Sequence, residues 1–359
     1  MKNNSQQRGV LVLGMHRSGT SAMTAGLQNV FGVKLSGSND CMSEDNPKGY
    51  FEDFDIVDLN TKLLDFFGVS WDSFGFAEDR DFSDTRLLSL KNDALTILRR
   101  NYSDHKLWGL KDPRISILLP FWEDVLKEFG SNYCRVIALR NPLEVAYSQK
   151  VRYEKQLLDP AHCRCGSDPR YMLNLWFWYN LYLLKDLPDD NNIVVVFDNI
   201  LSDPTNEMKR LGRFLEIDPD SNCLREYTQG FLDKQLKHHN INDSEVDEFR
   251  REYYYVFELY DRLLKFAEKD QFYKQDARLI LKEMPDDKLL SNWASPIYAY
   301  YNNAGQRLER LEKAQNYANQ VVQENNHLRD ELYLVYRSYS WRLTSPLRKI
   351  TALLRKLRG

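Results

Sequence analysis

Eight residues near the N-terminus, Gly14-Met-His-Arg-Ser-Gly-Thr-Ser21, constrain the fold more than any other stretch of the chain. They directly follow the apolar run Val10–Leu13 and lead into a helical pattern over Thr20–Val30, which Gly32 stops. A glycine-bearing turn between a buried strand and a helix presents unpaired backbone N–H groups and the positive end of a helix dipole, an arrangement that holds phosphate or sulfate. The hydroxyls of Ser18, Thr20 and Ser21 add donors. Gly14 and Gly19 keep the spacing of the nucleoside-triphosphate loop GxxxxGK[ST], but the lysine after the second glycine is missing. Arg17 stands inside the turn instead, where its charge can neutralise an oxygen that bridges a phosphate to a transferred group.

Further continuous apolar runs at Leu107–Leu110, Val136–Leu139 and Ile193–Phe197 predict strands covered on both faces. Helical patterns at Phe82–Arg100, Leu143–Glu154, Tyr171–Leu187 and Pro204–Leu215 lie between or after them at crossover spacing. The expected fold is therefore α/β, a P-loop-type, mainly parallel sheet flanked by helices over residues 1–240. A helical extension follows over 241–300, where Val246–Lys269 carries a helical apolar pattern. The aromatic run Trp176–Tyr179 is expected in a helix core.

Composition excludes several classes. With 43% hydrophobic and 28% charged residues, the chain of 359 lies near the globular average and far from disordered or collagenous sequences. Its 49 Lys and Arg against 52 Asp and Glu give a net charge of −3, which argues against a nucleic-acid partner. No run of about 18 apolar residues is present to span a membrane. Five scattered cysteines fit reduced thiols in a cytoplasm, and Cys163-Arg-Cys165 beside His162 lacks the second pair that a zinc site needs.

Arg17-Ser-Gly-Thr-Ser21 after the first strand resembles the loop [KR]-S-G-T-[ST] of the sulfotransferases that use 3′-phosphoadenosine 5′-phosphosulfate (PAPS). In that family the loop binds the 5′-phosphosulfate, which implies roles for His16, Arg17, Ser18, Gly19, Thr20 and Ser21. A second family motif, an Arg at a strand end and a Ser eight residues on in a helix, binds the 3′-phosphate and is matched by Arg140 and Ser148. Leu110-Lys-Asp-Pro-Arg114 resembles the element that brings a lysine to the sulfuryl group, which implies Lys111. Leu236-Lys-His-His-Asn240 resembles the late loop that closes over the nucleotide, through Lys237 and His238. Asn46–Asp53 and Phe197–Pro204 also look family-like, so the resemblance extends over about residues 8–240. It implies sulfuryl transfer from PAPS, adenosine 3′,5′-bisphosphate as product, and no metal.

Transfer also needs a group to take the acceptor's proton. Some relatives use a glutamate after the first helix, which points to Glu52 among the aromatic side chains of Gly49-Tyr-Phe-Glu52; His16 and Asp112 are the alternatives. Two rival readings stand beside the enzyme: an atypical P-loop kinase or NTPase, and a non-catalytic membrane-docked scaffold with a vestigial nucleotide fold.

Beyond the catalytic region, residues 301–359 are expected to form a coiled coil and a basic amphipathic tail. Leu308, Leu311, Gln315, Ala318, Val322 and Asn325 alternate steps of three and four, and Leu328, Leu332, Val335 and Tyr339 resume after a phase shift. Either self-association or a single amphipathic helix packed on its own domain satisfies this pattern. From Leu332 to Gly359 there are seven Lys or Arg and no Asp or Glu. Leu347, Ile350, Leu353, Leu354 and Leu357 share a side of the terminal helix, suited to an anionic membrane surface or a protein partner. The coiled coil with Ser340–Arg348 resembles tails on bacterial enzymes that build surface polysaccharides. That likeness implies a carbohydrate or lipid-linked glycan acceptor and a place at the inner face of the plasma membrane.

Overall fold

Four apolar segments pair as a parallel sheet: β1 (Arg8–Leu13), β2 (Leu107–Lys111), β3 (Asn132–Leu139) and β4 (Asn192–Val196), in the order β2-β1-β3-β4. The computed structural model describes residues 7–35, 49–73, 80–155, 168–232, 243–284, 315–335 and 337–356. His162, Cys163, Cys165, Lys237, His238, Leu308 and Leu311 lie outside them. The chain divides into two units, Met1–Asn302 and Asn303–Gly359.

Successive strand residues point to opposite faces, and both faces are covered. Leu11, Leu13, Ile137, Leu139, Val194 and Val196 enter one apolar cluster, while Val10, Val12, Val136, Ala138, Ile193 and Val195 enter another. This double burial is the reason the strands read as unbroken hydrophobic runs. In chain order the helices of the first unit are α1 (Thr20–Phe31), α2 (Phe54–Phe66), α3 (Leu88–Tyr102), α4 (Leu119–Phe129), α5 (Pro142–Glu154) and α6 (Pro169–Asp186). They continue with α7 (Phe197–Ser202), α8 (Pro204–Leu215), α9 (Ser221–Glu226), α10 (Asp243–Glu252), α11 (Tyr254–Leu264) and α12 (Lys274–Lys282). Residues from α1, α7, α8 and α9 close the second cluster; α2 to α6, α11 and α12 close the first. Helices α11 and α12 thus share the core of the sheet rather than building one of their own.

Two of the expected helices differ from the sequence pattern. The pattern from Phe82 becomes helical only near residue 85, because Asp84 accepts a hydrogen bond from Arg86 N at 2.8 Å and starts a tight turn over Thr85–Leu87 ahead of α3. The pattern over Val246–Lys269 is broken at Tyr253, whose φ of −112° and ψ of 40° leave helical geometry. Two residues on, buried Tyr255 donates to Asn174 Oδ1 in α6 at 2.6 Å, so tertiary contact overrides local periodicity.

The register brings all four strands to a common edge at their C-terminal ends: Val12 pairs with Lys111, Leu13 with Ile137 and Leu139 with Val196. The chain leaves β1 toward β2 on one side and β3 toward β4 on the other. Between the ends of β1 and β3 lies the switch point where parallel α/β sheets open a crevice.

In the second unit, α13 (315–335) is exposed along its length and is followed by α14 (Tyr339–Leu343) and α15 (Ser345–Lys356). Among the described residues no helix is long and apolar enough to cross a membrane.

Candidate functional site

The turn between β1 and α1 is built on three left-handed or open residues. Gly14 has φ 130°, and a Cβ there would stand 2.6 Å from the carbonyl oxygen of Ala138 in β3, so only glycine fits where the two strands approach. Its N–H donates to Ser116 Oγ at 2.8 Å, which fastens the turn to the segment after β2. Arg17 and Gly19 take φ of 67° and 86°. For an arginine that conformation costs about 1–2 kcal/mol. Between these two left-handed residues Ser18 N donates to Met15 O at 3.2 Å and closes a tight turn.

Gly19 is also the N-cap of α1, where no side chain caps the helix and no acid occupies the first turn. The helix therefore offers its first N–H groups and dipole to an anion. Ser18 and Thr20 are buried at its entrance.

Arg140, directly after β3, is only 6% exposed. Its Nη1 donates to the carbonyl oxygen of Arg17 at 3.1 Å, its Nε donates to Glu144 Oε2 at 3.0 Å, and its guanidinium lies 4.7 Å over the ring of Phe197. Phe197 also closes on the turn, because a Cβ on Gly19 would fall 2.2 Å from its ring. Arg17 Nε in turn donates to Ser148 Oγ in α5 at 2.9 Å. The two motifs, remote in sequence, are in direct contact across the ends of β1 and β3.

Lys111 ends β2 and is 4% exposed. Its ammonium donates to Tyr50 O at 2.9 Å and to Glu52 Oε1 at 2.6 Å, a mostly buried ion pair. Asp112, the next residue, is fully engaged: it accepts from Asn60 Nδ2 at 2.8 Å, from Arg114 N at 3.0 Å and from Arg114 Nη1 at 3.1 Å. These bonds make it a brace for the tight turn Pro113–Ser116.

His16 lies edge-on to Trp71, with ring centroids 4.6 Å apart, and to Tyr179 at 6.2 Å. Its Nε2 is shut off from water and has no hydrogen-bond partner among the described residues. Burial, then the charges of Arg114, Arg152, Lys111 and Arg17, hold its pKa well below the ordinary 6.5, so the imidazole is neutral at pH 7. Tyr179 donates to Trp71 O at 2.6 Å, and Arg152 Nη2 donates to Tyr50 OH at 3.2 Å. Tyr179 thus serves both the helix core, as the sequence implies, and the edge of this site. Among the described residues no three His, Cys, Asp or Glu side chains gather as a metal site.

The sequence does not single out Ser116, Trp71 or Arg152, and it gives Phe197 and Glu144 no role of their own within the stretches that contain them. Glu144 was legible as the carboxylate one helical turn beyond Arg140. Phe197 stands immediately after β4, just as Arg140 stands after β3.

No protein-family model and no curated protein matches the chain. Solved structures do. One is a sulfotransferase from Mycobacterium avium, 15% identical, with 69% of this chain and 76% of that one covered at a TM-score of 0.37. Another is the sulfotransferase domain of the curacin biosynthetic pathway, 15% identical, with 77% and 98% covered at 0.38. A third is a retinol dehydratase in complex with androsterone and the inactive cofactor PAP, 13% identical, with 73% and 81% covered at 0.32.

Proposed function

We propose that the chain is a sulfotransferase that moves a sulfuryl group from PAPS to a hydroxyl of a carbohydrate, as a lipid-linked or cell-surface glycan. The observation that carries this reading is the meeting of Arg17, Arg140 and Ser148 at the ends of β1 and β3. The left-handed turn at Arg17 and Gly19 and the uncapped start of α1 suit the 5′-phosphosulfate, and Ser18, Thr20 and Ser21 add hydroxyl donors. Buried Arg140, held against Phe197, suits the 3′-phosphate together with Ser148. Lys237 and His238 would close over the nucleotide from a loop outside the described residues.

In this reading Glu52 takes the proton of the acceptor hydroxyl while its oxygen bonds to sulfur. The bond from sulfur to the bridging oxygen breaks, and its electron pair leaves on the 5′-phosphate of adenosine 3′,5′-bisphosphate. Arg17 and Lys111 neutralise that departing charge. The Lys111–Glu52 pair supports the assignment, because one contact fixes both the cation and the carboxylate. His16 is a second candidate base, favoured by its neutral ring and by an Nε2 that has no partner among the described residues. Tyr50 and Trp71 border this region and supply aromatic faces on which a sugar can stack.

Thermal shift tests the donor. Adenosine 3′,5′-bisphosphate at 100 times its Kd should stabilise the protein by about 2.7 kcal/mol, and ATP with magnesium should not. The opposite preference would favour a kinase or NTPase. Transfer of labelled sulfate from PAPS to cell-envelope glycans tests the reaction, and full transfer by the Arg17→Ala and Arg140→Ala proteins would remove it from this site.

A further inference from the structure

The last turns of the chain carry a charge opposite to that of the whole. The protein is net −3, yet residues 332–359 hold seven Lys or Arg and no Asp or Glu. Between α14 and α15 helical backbone bonds run through the one turn residue, Thr344: its N donates to Ser340 O and its O accepts from Arg348 N, each at 3.1 Å. Trp341 N donates to Ser338 Oγ at 3.3 Å, and Thr344 Oγ1 donates to Ser340 O at 2.8 Å. Arg348 then reaches back along this segment: Nη1 donates to Thr344 Oγ1, Nη2 donates to Trp341 O, and the guanidinium lies 3.5 Å from the Trp341 ring centroid. Arg348 is thus a staple that ties α15 to α14.

On this stapled element Leu343, Leu347 and Ile350 are 75%, 64% and 57% exposed. Their spacing of four and three residues aligns them on one side. The basic charge and the apolar stripe must both be matched by whatever covers them. A second copy would cover the stripe but would bring seven more cations against the first seven. A polyanion in water would match the charge and leave the leucines wet. An anionic bilayer accommodates both, with the stripe below the headgroups and the cations among them.

We infer that residues 337–356 form an anchor for anionic lipid surfaces, with α15 lying along the headgroup plane and tied to α14 by the Arg348–Trp341 staple. This anchor is independent of the proposed sulfuryl transfer.

Flotation of the purified full chain with vesicles tests it. Vesicles of phosphatidylglycerol and phosphatidylcholine in equal parts should carry the protein upward at low salt and release it as salt rises. Phosphatidylcholine alone should not carry it. Joint Leu347→Asp and Ile350→Asp replacement should reduce binding to the anionic vesicles at least tenfold. Lys349→Glu, at an exposed position, should weaken it roughly fivefold or more while leaving helix content by circular dichroism unchanged. Equal flotation with both vesicle types would overturn the inference, as would binding indifferent to these replacements. So would a Leu347→Asp and Ile350→Asp protein whose only change is dissociation of a dimer, since the stripe would then belong to a second copy. The thermal shift with adenosine 3′,5′-bisphosphate should be the same in every variant, so failure here leaves the catalytic reading standing.

Discussion

Arg17 extends from the β1–α1 turn to donate its Nε to Ser148 Oγ, 2.9 Å away in α5. The arginine expected at one end of a nucleotide is therefore already bonded to the serine expected at the other. Arg17→Ala and Ser148→Ala should each weaken binding of adenosine 3′,5′-bisphosphate by about 1–3 kcal/mol. Because the two side chains touch, the double variant should lose less than the sum, by roughly 0.5 kcal/mol or more. Isothermal titration of the four proteins measures this, and strict additivity would mean that the contact is idle in binding.

Backbone and side chain make opposite demands at Arg17. The φ of 67° favours glycine, so Arg17→Gly should leave stability unchanged or raise it by as much as ~1 kcal/mol. The same change should abolish stabilisation by adenosine 3′,5′-bisphosphate. A clear fall in melting temperature would show that the arginine side chain supports the fold as well as the site.

Gly19→Ala should be among the most damaging small changes in the chain. The new Cβ would overlap the Phe197 ring at 2.2 Å, at a φ that disfavours any side chain. Overpacking of this kind costs about 1–3 kcal/mol. Since Phe197 also carries Arg140, donor binding should fall with stability. Phe197→Leu in the Gly19→Ala background should recover part of the stability, as read by urea unfolding, without recovering full affinity.

The Lys111–Glu52 pair separates binding from chemistry. Glu52→Gln keeps the shape of the side chain and should lower kcat by about 10²–10⁴-fold, with donor affinity nearly intact. Lys111→Met should lower kcat too and leave Glu52 without its ammonium. Turnover by Glu52→Gln at the parent rate would move the proton-accepting role to His16.

His16 gives the folded state a pH signature. Its pKa is depressed, chiefly by burial, so between pH 6.5 and the lower folded value the unfolded chain binds more protons than the folded one. Stability must fall as acid is added through that window. His16→Gln should lose less stability there, measured by chemical denaturation at a series of pH values. If His16 is also the base, the acid limb of kcat/KM lies below pH 6.5 and disappears in the variant.

The strands were legible because burial on both faces writes them as continuous apolar runs, and Lys111 and Arg140 were legible because they stand at strand ends. The first half of β3 was not. Arg135 lies in its middle, with its charge taken up by Glu123 at 2.7 Å and by Asp190 O at 3.1 Å, so a buried strand residue looks like a loop residue in the chain. The helix α2 went unnoticed although Asp53 caps it and Ile56, Leu59 and Leu63 form its buried stripe. The pressure of Phe197 on Gly19 could not be read from either residue alone, since it exists only after β1 and β4 come to lie in one sheet. The same holds for the association of His16, Trp71 and Tyr179, contributed by segments far apart in the chain.

All the turns with reactive side chains leave the sheet at one rim, while Arg8, Leu107, Asn132 and Asn192 begin its strands at the other. The far rim is therefore the natural handle of this molecule. A reporter or a surface tether placed between α4 and β3, at exposed Gly130, would grip the protein a full strand length from the reactive rim. Immobilised in that way, it would keep its reactive rim turned toward the solution.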